Sequence, residues 1–141
     1  MVGPSSEAAD NQDEFVPGQA RPARVLIVDD HEALRRGLKA AISNAGLQVC
    51  GEAANGKEAV ERTIELKPDL IILDLSMPVM GGFDAAREIR KKAPAVKVVV
   101  FTMHDSQQVR DETARIGVHA LAVKSEPLAK LLGAIRTVLG S

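Results

Sequence analysis

Residues 24–30 read RVLIVDD: a short apolar run, one base in front of it and two carboxylates behind. A run this brief, with no polar residue alternating through it, fits a strand buried on both faces. Working outward, comparable runs recur as LQVCGEA (47–53), DLIILD (69–74), VKVVVFT (96–102) and HALAV (119–123). Helical periodicity fills the gaps. Leu34, Leu38, Ala41, Ile42 and Ala45 recur at three- and four-residue steps, with Gly46 as a stop. Val60, Ile64 and Leu66 form a second stripe closed by Lys67-Pro68, and Phe83, Ala86 and Ile89 a third closed near Pro94. Residues 106–116 are more polar, whereas Leu128, Leu131, Leu132, Ile135 and Leu139 are strongly one-faced. Five β/α units in succession predict a parallel sheet covered by helices on both sides, with right-handed crossovers.

Composition agrees with one such domain. The chain has 141 residues, 45% of them hydrophobic, and a formal net charge of −1. That balance gives no bias toward nucleic acid or an anionic membrane, so neither is expected as a partner of this chain. With no Trp or Tyr and only three Phe, the core must be aliphatic. Cys50 is the single cysteine and fits a small core position in a strand. No apolar run approaches the length of about 18 residues that a membrane span needs, and the first residues lack the features of a secretory signal. A cytoplasmic location is expected. Residues 1–22 carry Pro4, Pro17, Pro22 and four acids (Glu7, Asp10, Asp13, Glu14) with little apolar content, and are expected to be a disordered tail preceding a domain at 23–141.

Ligands of parallel α/β sheets sit beyond the carboxyl ends of the strands. The first run ends in Asp29-Asp30, the third in Asp74, the fourth in Thr102 and the fifth is followed by Lys124. Carboxylates gathered at about 5 Å in an effective dielectric of about 20 repel by about 3 kcal/mol per pair, so a cation or a proton is required among them. Mg²⁺ suits such oxygen donors. Asp30 and Asp74 are expected to bind it directly, Asp29 through water, and a backbone carbonyl near Ser76 to complete the set. Asp74, alone at a central strand beside the Ser76-Met77-Pro78 loop, is the candidate nucleophile toward phosphorus. Thr102 would then donate a hydrogen bond to the phosphoryl group and Lys124 would neutralise one of its oxygens.

Each residue also has an ordinary role open to it. Asp29 with Glu32 can form a capping box at the first helix, Thr102 suits any strand, and Lys124 can lie along the surface. Ser125 fits the N-cap of the last helix, with Pro127 in its first turn. Separately these roles suffice, but they leave unexplained why four strands end in the acids, hydroxyl and ammonium of one chemistry. His31, His104 and His119 have neither zinc-ligand spacing nor carboxylate partners in such a pattern, and there is no dinucleotide or phosphate-loop fingerprint.

The segments VLIVDDHEALRRGL, PDLIILDLSMPVMGG, VVVFTMHDS and ALAVKSEP resemble the response-regulator receiver family of two-component signalling, from about Arg24 to Leu139. The resemblance implies a flavodoxin-like (βα)5 fold with strand order 2-1-3-4-5. It also implies that Asp74 accepts a phosphoryl group from a histidine kinase or phosphotransfer protein, that Asp29 and Asp30 bind Mg²⁺, and that Thr102 and Lys124 respond to the phosphorylated state. DLSMPVMGG, FTMHD and the Lys124-Ser125 pair are similar to receivers that precede a LuxR/NarL-type helix-turn-helix, which would lie outside this chain. An Asp-nucleophile Mg²⁺ phosphatase is the alternative enzyme class. Such enzymes carry an acid two residues past the nucleophile, where this sequence has Ser76. Residues 106–139 are expected to form the face for a partner or for a phosphorylation-dependent homodimer. In one departure, Leu121 stands where receivers commonly have Tyr or Phe, and Met103 is bulkier than the usual neighbour of the strand-end threonine.

Overall fold

The computed structural model describes residues 21–103 and 105–140; His104 and the expected tail, except for Arg21 and Pro22, lie outside them. The elements alternate as β1 (Arg24–Val28), α1 (Glu32–Asn44), β2 (Gln48–Ala53), α2 (Gly56–Leu66), β3 (Leu70–Leu73), α3 (Gly82–Lys92), β4 (Lys97–Thr102), α4 (Gln107–Ile116), β5 (Ala120–Val123) and α5 (Leu128–Leu139). All strand pairs are parallel and the order is β2-β1-β3-β4-β5, as the resemblance implied. β3 is thus central, and its four residues are all buried.

Alternate residues of each central strand face opposite layers. Leu26, Val28, Ile71, Leu73 and Val98 pack with Ala59, Val60, Ala85, Ala86 and Ile89 of α2 and α3. Val25, Ile27, Leu70, Ile72, Val99 and Phe101 pack with Leu38, Ile42, Leu131 and Ile135 of α1 and α5. Burial on both faces explains the unbroken apolar runs. Phe101 is the only buried aromatic side chain among the described residues, so the core is aliphatic as composition required.

β2 is an edge strand with only Ala53 fully buried. Its register against β1 slips between Val25, opposite Val49, and Leu26, opposite Gly51. Cys50 is the extra residue of this irregularity, and it is half-buried against the α2–α3 layer rather than fully enclosed.

Helix ends follow local chemistry in most places. Asn55 caps α2, its side chain accepting from the Glu58 amide at 2.9 Å, while Glu58 accepts in return from the Ala54 amide. Lys67, with φ 50°, ends the helix in the left-handed region just before Pro68. Ser106 caps α4, and Gly117 at φ 93° closes it. Two expectations fail. α5 begins after Pro127, which has no side-chain cap bond, so Ser125 lies outside the helix. α1 is preceded by His31 with no side-chain cap bond, and Asp29 accepts instead from the His31 amide at 3.0 Å. No capping box forms, because the helix starts two residues later than that motif needs, with His31 at the N-cap and Glu32 as the first helical residue.

Candidate functional site at the carboxyl edge of the sheet

The ladder carries its end residues to one place. The Asp29 amide donates to Ala53 O and the Asp74 amide to Val28 O, both at 3.0 Å, so each aspartate continues the line of its strand. The Lys124 amide donates to Thr102 O at 2.7 Å and locks the ends of β4 and β5 together. Asp29, Asp74 and Thr102 are buried there.

Lys124 joins this group from 95 residues away in sequence from Asp29. Its Nζ lies 2.7 Å from Asp29 Oδ2 and 3.3 Å from Asp74 Oδ1. Burial, then the charge of Asp29, raise the Asp74 carboxyl above its ordinary range; Lys124 and the Ser76 amide, which donates to it, offset part of that. The three bare carboxylates envisaged from sequence are therefore two buried ones bridged by an ammonium. Asp30 stands apart, with about a third of its side chain exposed at the mouth.

His31 is the residue that sequence reasoning set aside and the structure brings in. Its Nδ1 lies 3.1 Å from Asp29 Oδ1 and 3.2 Å from Asp30 Oδ1, two carboxylate neighbours that a search for zinc-ligand spacing does not reveal. Ligand atoms of Asp29, Asp30 and His31 all fall within 4.8 Å of one another. The contiguous Asp-Asp-His was the available signal. Behind it, Arg35 donates from Nη1 to Asp29 O at 2.6 Å and from Nε to Glu52 at 2.9 Å, tying α1 and β2 to the site. Burial works against ionising Glu52, but Lys39 and Arg35 together hold its carboxyl below the usual range.

Two glycines hold the loop after Asp74 in place; a backbone role for Gly82 before the third helix is legible in the sequence, whereas that of Gly56 is not. A Cβ on Gly82 would stand 2.3 Å from Asp74 O, and one on Gly56 would stand 2.2 Å from Met80 O. Only glycine allows such an approach, and the amides of both residues donate to that loop, to Leu75 O and Met80 O. Within it, Val79 sits at φ 71°, an unfavourable conformation for a β-branched residue, and is largely exposed. Ser76 is exposed, as is Met103 beside Thr102.

The arrangement gathers two buried carboxylates, further oxygen donors and an ammonium group at one edge of the sheet. Residues 25–136 match the response regulator receiver domain. The chain is 42% identical over 115 residues to the chemotaxis protein CheY of Thermotoga maritima, covering 82% of this chain and 96% of that protein. It is 36% identical to the response regulator GacA of Pseudomonas viridiflava, covering 82% of this chain but 54% of that protein. It thus spans nearly all of the first relative and about half of the second. A LuxR-family two-component response regulator from Aurantimonas sp. SI85-9A1 superposes with a TM-score of 0.80 at 34% identity, over 84% of this chain and 85% of that one. The CheX-CheY-BeF3-Mg complex from Borrelia burgdorferi superposes with a TM-score of 0.81 at 26% identity, over 85% and 91%. A parallel sheet in the order 2-1-3-4-5, with its acids and lysine at one edge and a family match over residues 25–136, means that this chain belongs to the response regulator receiver domain family.

Proposed function

We propose that the chain is a phosphorylation switch in which Asp74 accepts one phosphoryl group, and that it turns over no other substrate. The observation that carries this is the Asp29–Lys124–Asp74 cluster at the carboxyl end of the central strand. An Asp74 oxygen forms a bond to phosphorus while the bond from phosphorus to the donor breaks, and the electron pair of that bond leaves with the donor. If the donor is a phosphohistidine, the pair stays on the imidazole nitrogen. Lys124, already in contact with Asp74, neutralises charge on the transferred oxygens, and Thr102 donates a hydrogen bond to them.

The donor set suits Mg²⁺: Asp29, Asp30 and Asp74 supply carboxylate oxygens and the Ser76 backbone carbonyl is a fourth hard donor. The raised Asp74 carboxyl favours a divalent charge nearby, because the ammonium only partly offsets burial and the Asp29 charge. When bound, the ion would neutralise the phosphoryl oxygens. His31 would keep Asp29 and Asp30 oriented. The CheX-CheY complex from Borrelia burgdorferi contains BeF3 and Mg²⁺; they belong to that protein and support the same reading here.

A histidine kinase or phosphotransfer protein is the proposed donor, in the cytoplasm; among the described residues no helix is long and apolar enough to cross a membrane. The likeness to GacA, VraR and LuxR-family regulators, of which this chain matches about half in the GacA and VraR cases, supports a second reading. In it the chain is the receiver part of a DNA-binding regulator, a point that the reading frame past Ser141 decides. The central test is mass spectrometry after treatment with a small phosphodonor and Mg²⁺. One phosphoryl group labile at alkaline pH is expected on Asp74 and none on Asp74→Asn. Equal labelling of both proteins would remove Asp74 as acceptor.

A further inference from the structure

We propose that residues 7–16 of this chain dock in the basic groove at the amino edge of the sheet, against Lys67 and Lys97. That edge is the far side of the molecule from Asp74. Five residue steps along β3 separate Asp69 from Asp74, about 17 Å at strand rise. The groove has a volume of about 1010 Å³. Its apolar lining includes Leu47, Ile64, Pro68 and Leu139; the cations Arg21, Lys67, Lys92 and Lys97 line it against one acid, Asp69, whose carboxylate accepts from the Arg24 amide at 2.8 Å. Lys92 is the one of these four with an ion-pair partner among the described residues, Glu88 at 3.3 Å.

Charge is divided unevenly along the chain. All 18 Lys and Arg lie from Arg21 onward, against 15 acids there. Residues 1–20 hold the other four acids, Glu7, Asp10, Asp13 and Glu14, and no Lys or Arg. Phe15 and Val16 follow those acids directly. Acids beside an apolar pair complement cations around an apolar floor. Connectivity makes the encounter intramolecular. Arg21 stands at the lip of the groove, and seven residues of chain reach at most about 25 Å. A tether this short keeps the segment at an effective concentration of about millimolar.

Helix carboxyl ends converge on the same edge and bring partial negative charge. They are largely satisfied from within: Lys67 N donates to Thr63 O, and Arg24 Nη1 donates to Leu66 O and Lys67 O. Lys67 and Lys92 are exposed and Lys97 is half-buried. The charge of Lys97, alone of these cations, is felt at His119, whose amide donates to Val98 O at the start of β4. Burial first, then Arg90 and Lys97, lower the pKa of its ring, with the Val98 amide donating to Nδ1 and opposing them in part.

Lysine acetylation of the full chain, read by mass spectrometry, tests this. The comparison is with the variant E7Q/D10N/D13N/E14Q. In about 10 mM salt, where the Debye length is about 30 Å, Lys67 and Lys97 should react about twofold or more faster in the variant. In about 1 M salt, where it is about 3 Å, the two proteins should react alike. Lys130 on α5 should not differ at either salt. Equal rates at Lys67 and Lys97 in the two proteins, or an equal increase at every lysine, would overturn the proposal. Protection independent of protein concentration supports the chain's own segment. Protection that grows with concentration assigns the groove to a second copy and overturns it too.

Discussion

Lys124 touches two buried carboxylates at once, at 2.7 Å and 3.3 Å, so removing its charge strands both Asp29 and Asp74. Lys124→Met keeps most of the stem and should destabilise the fold by about 3 kcal/mol, measured by urea unfolding, as expected when one partner of a buried ion pair is lost. A cost near zero would mean that the carboxylates are hydrated well enough to do without it. Asp74 behaves in the opposite sense. Its carboxyl binds a proton more tightly in the folded chain than in the unfolded one. The stability this contributes is complete below the ordinary value of 3.8 and is lost as pH rises through the raised value. Asp74→Asn removes that loss. It should be more stable than the parent near about pH 7, with the gap narrowing toward about pH 4. A variant less stable at neutral pH would show that the Lys124 contact outweighs burial and the repulsion of Asp29.

At the scale of the elements, helix starts divide into those fixed by a local side chain and those fixed by packing. Asn55 accepts from the Glu58 amide, so Asn55→Ala should cost about 1 kcal/mol by thermal or urea unfolding. Ser125 lies before the first turn of α5 and caps nothing there; Ser125→Ala should change stability by less than about 0.5 kcal/mol. A larger loss at Ser125 than at Asn55 would reverse this assignment. α5 begins without a cap because Leu131 and Ile135 anchor it to the sheet and Pro127 supplies a suitable φ of −58°. α4 lies at the other extreme. Thr113 is its only buried residue, and its Ser106 cap and Gly117 stop hold it by local bonds rather than by a broad apolar face. Its polar sequence foretold that shallow docking.

Across the whole molecule, a signal at Asp74 must cross β4 and β5 to reach residues 106–139, the face proposed for a partner or a second copy. Phe101 pairs with Ala122 and Val100 with Leu121 along that route. Leu121 is half-buried and has no ring to turn between two positions. The coupling between phosphorylation and association is therefore expected to be near the low end, about 1 kcal/mol. Leu121→Tyr should enlarge the difference in dimerisation or partner binding between phosphorylated and unphosphorylated protein, measured by sedimentation or titration calorimetry. An unchanged difference, together with a Leu121 that swings inward on activation, would show that the aliphatic side chain serves as well as a ring.

Much of this was fixed by sequence alone, because strands buried on both faces must be apolar at every position and helices must carry one apolar stripe. Both patterns are local, so RVLIV, LIIL and VVVF announced themselves, and so did the acids, hydroxyl and lysine beyond them. Relations between distant residues were beyond that reach. Sequence could not show that Lys124 lies between Asp29 and Asp74, that Asp29 is buried while Asp30 is not, or that His31 faces both of its preceding acids. It could not show why Gly56 must be glycine, since the carbonyl that excludes a side chain there belongs to Met80. Nor could it show that Ser125 lies outside the helix. Local pattern decides which segments become strands and helices, but burial and distance depend on how those segments pack, and only the assembled sheet brings its carboxyl ends together.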